Sequence, residues 1–449
     1  TLDELDIAPW DSTTITIPYD GIDFKPTSRY TIRFSTTLVE ATPWAEAGYE
    51  VAASEAVIHE ASEHLPYSYE GTDTLSISGT SASKTVKGPN FTATFSGGTL
   101  SRYVLGGTTL ISQPIKLNTF RIPTENDKTQ EGNWESLGVR SLTMSSGTWE
   151  IEQDQARRWI ILSITDTYRT STSALTFTVN KQFRIYSDGA ICVSTMTTPY
   201  VEGSVLPKLG FRFEMPSSAE NITWLGRGPF DNYHDRNYAA HWGIYHSTVT
   251  EQWTNFVRPQ ETGNKEDVRW LAVTTNAGKG LLYVSPSGMS TTVGHWRAED
   301  IYTNRSTRKG HPYEVTFQRN TVVSLDAWNR ALGNASCGPD VLDKYERKLK
   351  QTPFCFMILP INEATSDTIL AQRGNQNLPV CQPVRFSDNG QGYAVLTSNN
   401  PAGTTIYYSL DGNENNDRLF VKGIVSNVSK ELGQNTVIPQ GSVYLVAKD

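Results

Sequence analysis

The sequence predicts an all-β protein, because short runs of alternating apolar and polar residues dominate it and helical periodicity is scarce. Gly, Asn, Asp and Ser bound each run, and these residues favour turns. Thr and Tyr, which suit the surface of a pleated sheet, are also plentiful. Together the three observations indicate several β-sheet domains.

Length and composition bound the protein class. A chain of 449 residues has room for roughly two to four domains. With 37% apolar and 19% charged residues, it should fold rather than remain disordered. The most apolar run, 354–361, is only as long as a strand, so no membrane span is predicted. A net charge of −8 with both signs interspersed argues against a nucleic-acid partner, which needs clustered Lys and Arg.

Individual elements follow from the alternation. Phe91 and Phe95 fall on one face of a run, and Gly97-Gly98 then supplies a turn before a strand at 100–105. Further strands are predicted at 159–165, 175–179, 191–197, 270–275 and 281–284. Two short helices are predicted, at 239–242 and at 366–373, the second with Thr365 as its N-cap.

Two changes in composition predict three domains. Around 63–74 the sequence becomes polar and contains Pro66 and Gly71, and 373–379 has the composition of a linker. We therefore predict domains at 1–65, 70–365 and 378–449. At one strand and turn per about 8–12 residues, the middle domain should hold about fifteen or more strands in a large double sheet.

Neither a metal nor a cofactor is predicted. The cysteines, Cys192, Cys337, Cys355 and Cys381, are far apart and form no zinc-binding pattern, so free thiols are expected. No HExxH pair and no Gly-x-Ser-x-Gly elbow is present. The glycine-rich stretch 226–229 ends in proline where a phosphate loop needs free N–H groups at a helix start.

One stretch of the middle domain is rich in aromatic residues: Trp224, Tyr233, Tyr238, Trp242, Tyr245, Trp253 and Trp270. Aromatic faces stack on sugar rings while neighbouring carboxylates and amides bind hydroxyl groups, so this composition suits a carbohydrate partner. The alternative is that the rings fill the core of a large β-sandwich. We expect the core interpretation to hold for most of them.

Four ordered blocks resemble the large C-terminal domain of glycoside hydrolase family 2 β-galactosidases. They are 120–127 (FRIPTEND), 224–236 (WLGRGPFDNYHDR), 256–271 (FVRPQETGNKEDVRWL) and 332–338 (LGNASCG). Residues 41–52 (ATPWAEAGYEVA) are similar to the end of the immunoglobulin-like domain that precedes it, so the resemblance covers about 1–361. The segment 404–412 (TTIYYSLDG) more weakly resembles a small β-sandwich of chitobiase-type enzymes.

The resemblance implies a fold and a role. Residues 1–65 would end an immunoglobulin-like sandwich, 70–365 would form a galactose-mutarotase-like supersandwich beside the active site, and 378–449 a small β-sandwich. In that family a (β/α)₈ barrel supplies both catalytic glutamates, and the strand–helix alternation of such a barrel is absent here. The expected role is the non-catalytic C-terminal portion of a retaining β-galactosidase, whose partner is the β-galactoside held with the barrel. A stand-alone carbohydrate-binding module is the alternative, and a mutarotase-like epimerase ranks third.

The resemblance also assigns site residues. Glu125, Asn126, Asp127 and Lys128 would lead into a mobile loop, 128–133, at the rim of the active site. A family tryptophan that can form a platform for the leaving group falls on Val322, shortly before Asp326. Valine has no flat face for stacking, so the acceptor preference should differ. No catalytic residue is assigned to this chain.

Further predictions concern the segment 411–414, the start of the chain, and the location and oligomeric state of the protein. The sequence Gly412-Asn413-Glu414 is similar to an acid-bearing pair of glycosidases, but Asp411-Gly412 after an alternating strand favours a hairpin turn. The chain begins Thr1-Leu2-Asp3, without Met or a signal-peptide pattern, so a preceding segment is expected to have been removed. We favour a periplasmic or secreted bacterial protein over a cytoplasmic one, and a homo-oligomeric parent enzyme stays open.

Overall fold

The computed structural model describes residues 7–61, 65–67, 71–153 and 155–377, and the backbone of six short strands beyond residue 384. The chain divides into two compact units, Thr1–His64 and Leu65–Asp449. In this described part, no helix has the length and apolar character needed to cross a membrane.

The first unit contains an antiparallel pair of strands, β1 (Tyr30–Thr37) and β2 (Glu50–His59). Phe24 stacks on His59 with ring centroids 5.0 Å apart, and Arg33 forms a 3.0 Å ion pair with Glu50 across the strands. A two-stranded ribbon covers only part of its own side chains, and most residues of β1 and β2 are accordingly exposed or half-buried.

The second unit opens with a five-stranded antiparallel meander: β4 (Ser76–Gly79), β5 (Ser83–Lys87), β6 (Phe91–Ser96), β7 (Thr99–Leu105) and β8 (Thr108–Ile111). Phe91, Ala93 and Phe95 are buried on one face of β6, and the alternate residues Thr92 and Thr94 are half-buried. Gly97 and Gly98 form the predicted turn at φ values of 56° and 69°, a left-handed conformation that favours glycine.

A thirteen-stranded antiparallel sheet follows: β9 (Gln113–Asn118), β10 (Leu142–Ser146), β11 (Glu150–Gln153), β12 (Trp159–Thr170), β13 (Thr176–Tyr186), β14 (Ile191–Pro199), β15 (Lys208–Met215), β16 (Ala219–Gly228), β17 (His241–Thr248), β18 (Lys265–Thr275), β19 (Gly280–Gly294), β20 (Thr321–Asn329) and β21 (Thr352–Ile361). Its main path runs β10-β12-β13-β14-β21-β19-β18-β16-β17, and β11 pairs with β12. The long strand β19 pairs with β21 through 280–284 and with β20 through 290–294. The sheet therefore branches at β19 into the order β19-β20-β15-β9.

Few helices interrupt the strands. They are α1 (Glu131–Leu137), α2 (Ala298–Ile301), α3 (Asp367–Gly374) and three 3-10 turns at Glu125–Thr129, Thr250–Gln252 and Pro312–Glu314. The helix predicted at 366–373 is confirmed as α3, with Ser366 instead of Thr365 at its N-cap. The helix predicted at 239–242 is wrong, because β17 begins at His241 and pairs with β16 along its whole length. One helical turn cannot compete with such a ladder.

Two hydrophobic clusters pack against opposite faces of the sheet. On β18, Leu271 and Val273 belong to the larger cluster, whereas Trp270 and Ala272 belong to the smaller one, which Leu370 of α3 helps to cover. This alternation is the period-2 pattern of a strand buried on both faces. The all-β class is confirmed, and the strands predicted in the middle domain are present.

The remaining strands are short. β3 (Leu65–Pro66) pairs in parallel with β22 (Gln376–Asn377). Beyond them lie β23 (Arg385–Asp388), β24 (Ala394–Thr397), β25 (Thr405–Ser409), β26 (Gly423–Ile424), β27 (Lys430–Glu431) and β28 (Tyr444–Lys448), in two three-stranded sheets. The predicted domain at 378–449 and the turn at 411–414 fall largely or wholly outside the described residues and stay predictions.

Candidate functional site

The branch of the sheet formed by β9, β15, β20 and the end of β19 has one apolar and one polar face. On β15, Leu209, Phe211 and Phe213 join the main core, so the alternate residues point to the other face. That other face carries polar side chains: Asn118, Lys208, Arg212, Ser290, Thr292, Ser324 and Asp326. A buried polar face is costly unless its groups are paired.

Asp326 is paired inside this face. Its carboxylate lies 2.7 Å from Nζ of Lys208, and both side chains are almost fully buried. Burial raises the pKa of Asp326, and the charge of Lys208 opposes that rise. On the neighbouring strand, a Cβ at Gly210 would lie 2.2 Å from Oδ1 of Asp326, so only glycine leaves room for the carboxylate.

Val322 lies on the same face, between Glu214 of β15 and Gly294 of β19. Only 5% of its surface is exposed. Strand alternation places Val322 and Asp326 in the interior, which corrects their assignment to the rim. The Val322 side chain therefore has almost no exposed surface against which a sugar could pack.

Asp127 is a structural residue with no exposed surface. Arg121 donates to its two carboxylate oxygens at 2.8 and 3.1 Å, and Arg330 donates to Oδ1 at 3.3 Å. The backbone N–H and hydroxyl of Thr124 both donate to Oδ2 at 2.8 Å, which caps the 3-10 turn. Asp127 thus anchors the segment 124–128 in the interior.

The neighbours of Asp127 reach the surface. Oε1 of Glu125, whose side chain is 47% exposed, accepts from Arg258 and from Arg308, each at 3.0 Å. Asn126 donates from Nδ2 to the carbonyl of Gly333 at 3.0 Å, and its Oδ1 accepts from the N–H of Ser336 at 3.1 Å.

Nζ of Lys128 donates to the carbonyl of Ser336 at 2.7 Å. We call Glu125, Asn126, Lys128, Arg258 and Ser336 the rim cluster. The structure therefore brings together three of the residues that the sequence assigned to the rim, on a base that the fourth, Asp127, supplies.

The turn 333–338 is also held by Asp235 and Arg236, to which the sequence analysis assigned no role. Arg236 donates to the carbonyl of Gly333 and to Oδ1 of Asn334. The carboxylate of Asp235 accepts from the N–H groups of Leu332 and Gly333 at 3.0 and 2.8 Å. The adjacent opposite charges of Asp235 and Arg236 at the end of the 224–236 block were the available signal.

The segment 302–308 contacts the helix α1, which follows the 3-10 turn at Glu125–Thr129. Glu131 in α1 accepts from Arg305 at 3.1 Å and from Arg308 at 2.6 Å. Tyr302 donates to Glu135 at 2.7 Å. No pattern in the sequence marked these arginines, because their partners lie more than 160 residues away along the chain.

A small cavity of about 30 Å³ lies over the polar face. Charged side chains dominate its lining: Arg121, Lys208, Arg212, Glu261 and Arg297. Burial raises the pKa of Glu261 despite the nearby charges of Lys208 and Arg121, and its Oε2 accepts from the N–H of Ile122 at 3.2 Å. The space suits a few water-sized occupants and is too small for a sugar ring.

Most of the aromatic stretch fills the core, as expected. Trp224, Tyr233 and Trp270 are buried, and Tyr245 and Trp253 pack against the main cluster. Tyr238 is the exception, because 83% of its surface is exposed, as the carbohydrate-binding interpretation requires.

Within the described ranges, no three His, Cys, Asp or Glu side chains come together in a way that could hold a metal ion. Cys337 and Cys355 are free thiols, as predicted, Cys192 is buried, and Cys337 is exposed in the turn 333–338. Cys381 lies outside the described residues.

Two family models and several curated proteins match this chain. A family model of the β-galactosidase small chain matches residues 87–358, and one of β-galactosidase domain 4 matches residues 1–59. The β-galactosidase of Priestia megaterium is 29% identical over 281 residues, 62% of this chain and 27% of that protein. That of Actinobacillus pleuropneumoniae is 28% identical over 248 residues, 55% of this chain and 24% of that protein.

The β-galactosidase of an Arthrobacter species is 26% identical over 352 residues, 74% of this chain and 33% of that protein. Among solved structures, a galactose mutarotase related enzyme from Lactobacillus acidophilus aligns over 65% of this chain and all of its own, with 7% identity and a TM-score of 0.33. The chain spans about a quarter to a third of the three curated relatives. Since the small-chain model covers more than half of its residues, the chain belongs to the β-galactosidase small-chain family.

Proposed function

We propose that the chain is the non-catalytic, C-terminal wall of the active site of a retaining β-galactosidase, whose acid and nucleophile lie outside these residues. The observation that carries the proposal is the rim cluster. Asp127 fixes the backbone of 124–128 in the interior, while Glu125 and Lys128 present charged groups at the surface. Such a rigid base with polar tips suits the recognition of a sugar or leaving group beside a catalytic centre.

The state of the buried carboxylates supports a non-catalytic role. Retaining glycosidases need two carboxyl groups about 5–5.5 Å apart, one free to attack and one able to give up a proton. Within the described ranges, five buried carboxylates are held in ion pairs: Asp127, Asp166, Asp326, Glu131 and Glu214. Glu261 accepts from a backbone N–H, and Glu266 accepts from Asn264 and Ser290. Carboxylates held in this way stabilise the fold.

Hydrolysis of a chromogenic β-galactoside tests the proposal. The chain, produced in a host without its own β-galactosidase, should show no turnover above the blank. In the intact enzyme that contains this chain, Lys128→Ala should raise KM several-fold with little change in stability, because it removes an exposed group. Arg33→Ala, also exposed, is the matched control and should leave KM unchanged. Turnover by the isolated chain would contradict the proposal.

A carbohydrate-binding module is the second candidate, because Tyr238 is exposed beside the polar segment 234–237. Calorimetry with galactose, lactose and a galactan at millimolar concentration separates the two functions. The wall proposal expects no measurable heat from the chain alone. Binding that is lost in Tyr238→Ala would favour the module instead.

A further inference from the structure

We propose that the cavity over the polar face is a binding site for one halide-sized anion. The inference is independent of the proposed active-site role, because it concerns the interior of the sheet branch. It rests on the arrangement of charge around the cavity, on donors that lack partners and on the size of the space.

Four cationic side chains line the cavity: Arg121, Lys208, Arg212 and Arg297. Each is paired on its other side with a carboxylate, namely Asp127, Asp326, Glu299 or Glu214. None of those four carboxylates is among the lining residues. The cations are thus in the wall and their carboxylates are not, and since Coulomb energy falls with distance, the charges in the wall act most strongly on an occupant.

Glu261 is the one acidic side chain in the lining of the described residues. The lining itself therefore holds four cations and one carboxylate, and the four partner carboxylates lie outside it. A monovalent anion in the cavity would be attracted to the cationic ends of these pairs.

Two buried donors at the wall lack a partner. Among the described residues, neither Nε of Arg121 nor Oγ1 of Thr292 makes a hydrogen bond, and the two side chains are about 1% and 9% exposed. Leaving a buried donor without a partner lowers the stability of the fold. Nζ of Lys208 also has three N–H donors, of which Asp326 needs one. Besides the carboxylate of Glu261, the wall therefore offers several N–H and O–H donors, which an anion requires.

The size of the cavity limits which anions can bind in it. About 30 Å³ accommodates one small ion or a few water-sized occupants. Chloride and bromide fit this space, and gluconate does not fit within it. A Cβ at Gly294 would approach the ring of Trp296 at 2.0 Å, so this glycine lets the tryptophan close over one side of the cavity.

The site would act on the rim through two short connections. Arg121, in the wall, also holds Asp127, and Glu261 holds the N–H of Ile122. An anion in the cavity would stabilise the segment 121–127 from beneath and so help to position the rim cluster. Halide should therefore stabilise the chain specifically, beyond the general effect of ionic strength.

Thermal unfolding and bromide soaks test the site on the whole chain. At constant ionic strength, replacing sodium gluconate by chloride or bromide should raise Tm along a saturable curve, because a ligand bound by the folded state stabilises it. Crystals soaked in bromide should show an anomalous peak between Lys208 and Thr292. A cavity that holds only water in bromide, or a Tm that responds equally to all the anions, would overturn the proposal.

Variants give an independent check. The double variant Arg212→Gln/Glu299→Gln removes one wall cation together with its partner, and should weaken the halide response about tenfold or more. Thr292→Val should weaken it several-fold, and Thr292→Ser should restore it. The control Arg33→Gln/Glu50→Gln removes a surface ion pair of the first unit and should leave the response unchanged. An unaltered response in the first double variant would contradict the assignment.

Discussion

The contribution of a charged residue to the stability of this protein depends on whether the residue and its partners are buried. Asp127 is enclosed by Arg121 and Arg330, whereas Glu125 makes similar contacts at the surface. Asp127→Ala should lower the free energy of unfolding by about 3–5 kcal/mol, since it leaves the buried Arg121 without its carboxylate and removes one of the three acidic partners of Arg330. Glu125→Ala should cost less than about 1 kcal/mol. Urea unfolding of the two variants checks this, and equal losses would contradict the structural role of Asp127.

Glu266 should make stability depend on pH. Burial raises its pKa from about 4.5 to about 7. The folded chain therefore keeps a proton that the unfolded chain loses, so the free energy of unfolding falls as pH rises from about 4.5 to 7. Above this window the loss should approach an order of 3 kcal/mol.

Glu266→Gln keeps an acceptor for Asn264 and Ser290 and cannot ionise. The variant should flatten the decline between about pH 4.5 and 7, measured by urea unfolding at several pH values. The exposed change Glu40→Gln serves as control and should retain the slope. If Glu266→Gln declines as steeply as the unchanged chain, Glu266 is not the group responsible.

At the scale of elements, the turn 333–338 shows how a glycine controls the rim. Gly333 has φ 66°, and a Cβ there would lie 2.7 Å from the backbone N of Val341. Gly333→Ala should therefore cost more than the roughly 1–2 kcal/mol of a left-handed alanine. Gly203→Ala is the matched control, because Gly203 has φ 96° and open space around its Cβ position.

Thiol labelling at Cys337 reads out the same turn directly. Cys337 is exposed, three residues beyond Asn334. Gly333→Ala should change the labelling rate at this residue, followed by peptide mass, and Gly203→Ala should not. Equal rates in both variants would mean that the turn keeps its conformation without glycine.

Elements were predictable where local pattern and tertiary environment agree. The alternation in β6 and the glycine pair after it were sufficient to predict a hairpin. The helix expected at 239–242 failed because pairing between β16 and β17 outweighs a single helical turn. α1 was missed because its burial depends on contacts to Arg305 and Arg308, far along the chain.

For the whole molecule, the hydrophobic core lies within the second unit, from Leu75 to Leu370. Deleting residues 1–64 should therefore leave the main cooperative transition in calorimetry, with a similar Tm. The first unit should add no second transition to that of the intact chain, because its two-stranded ribbon has no fully buried side chain. Loss of the main transition on deletion would contradict the independence of the two units.

The sequence by itself determined the all-β class, most strands of the large sheet and the β-galactosidase family, because alternation and ordered motif blocks are local properties of the chain. Only the tertiary structure decided that Val322 and Asp326 are interior, that Asp127 is an anchor and that Glu125 and Lys128 are exposed. The physical reason is that burial depends on partners distant in sequence. Asn126 and Gly333, for example, meet across 207 positions, and no local pattern identifies such a partner.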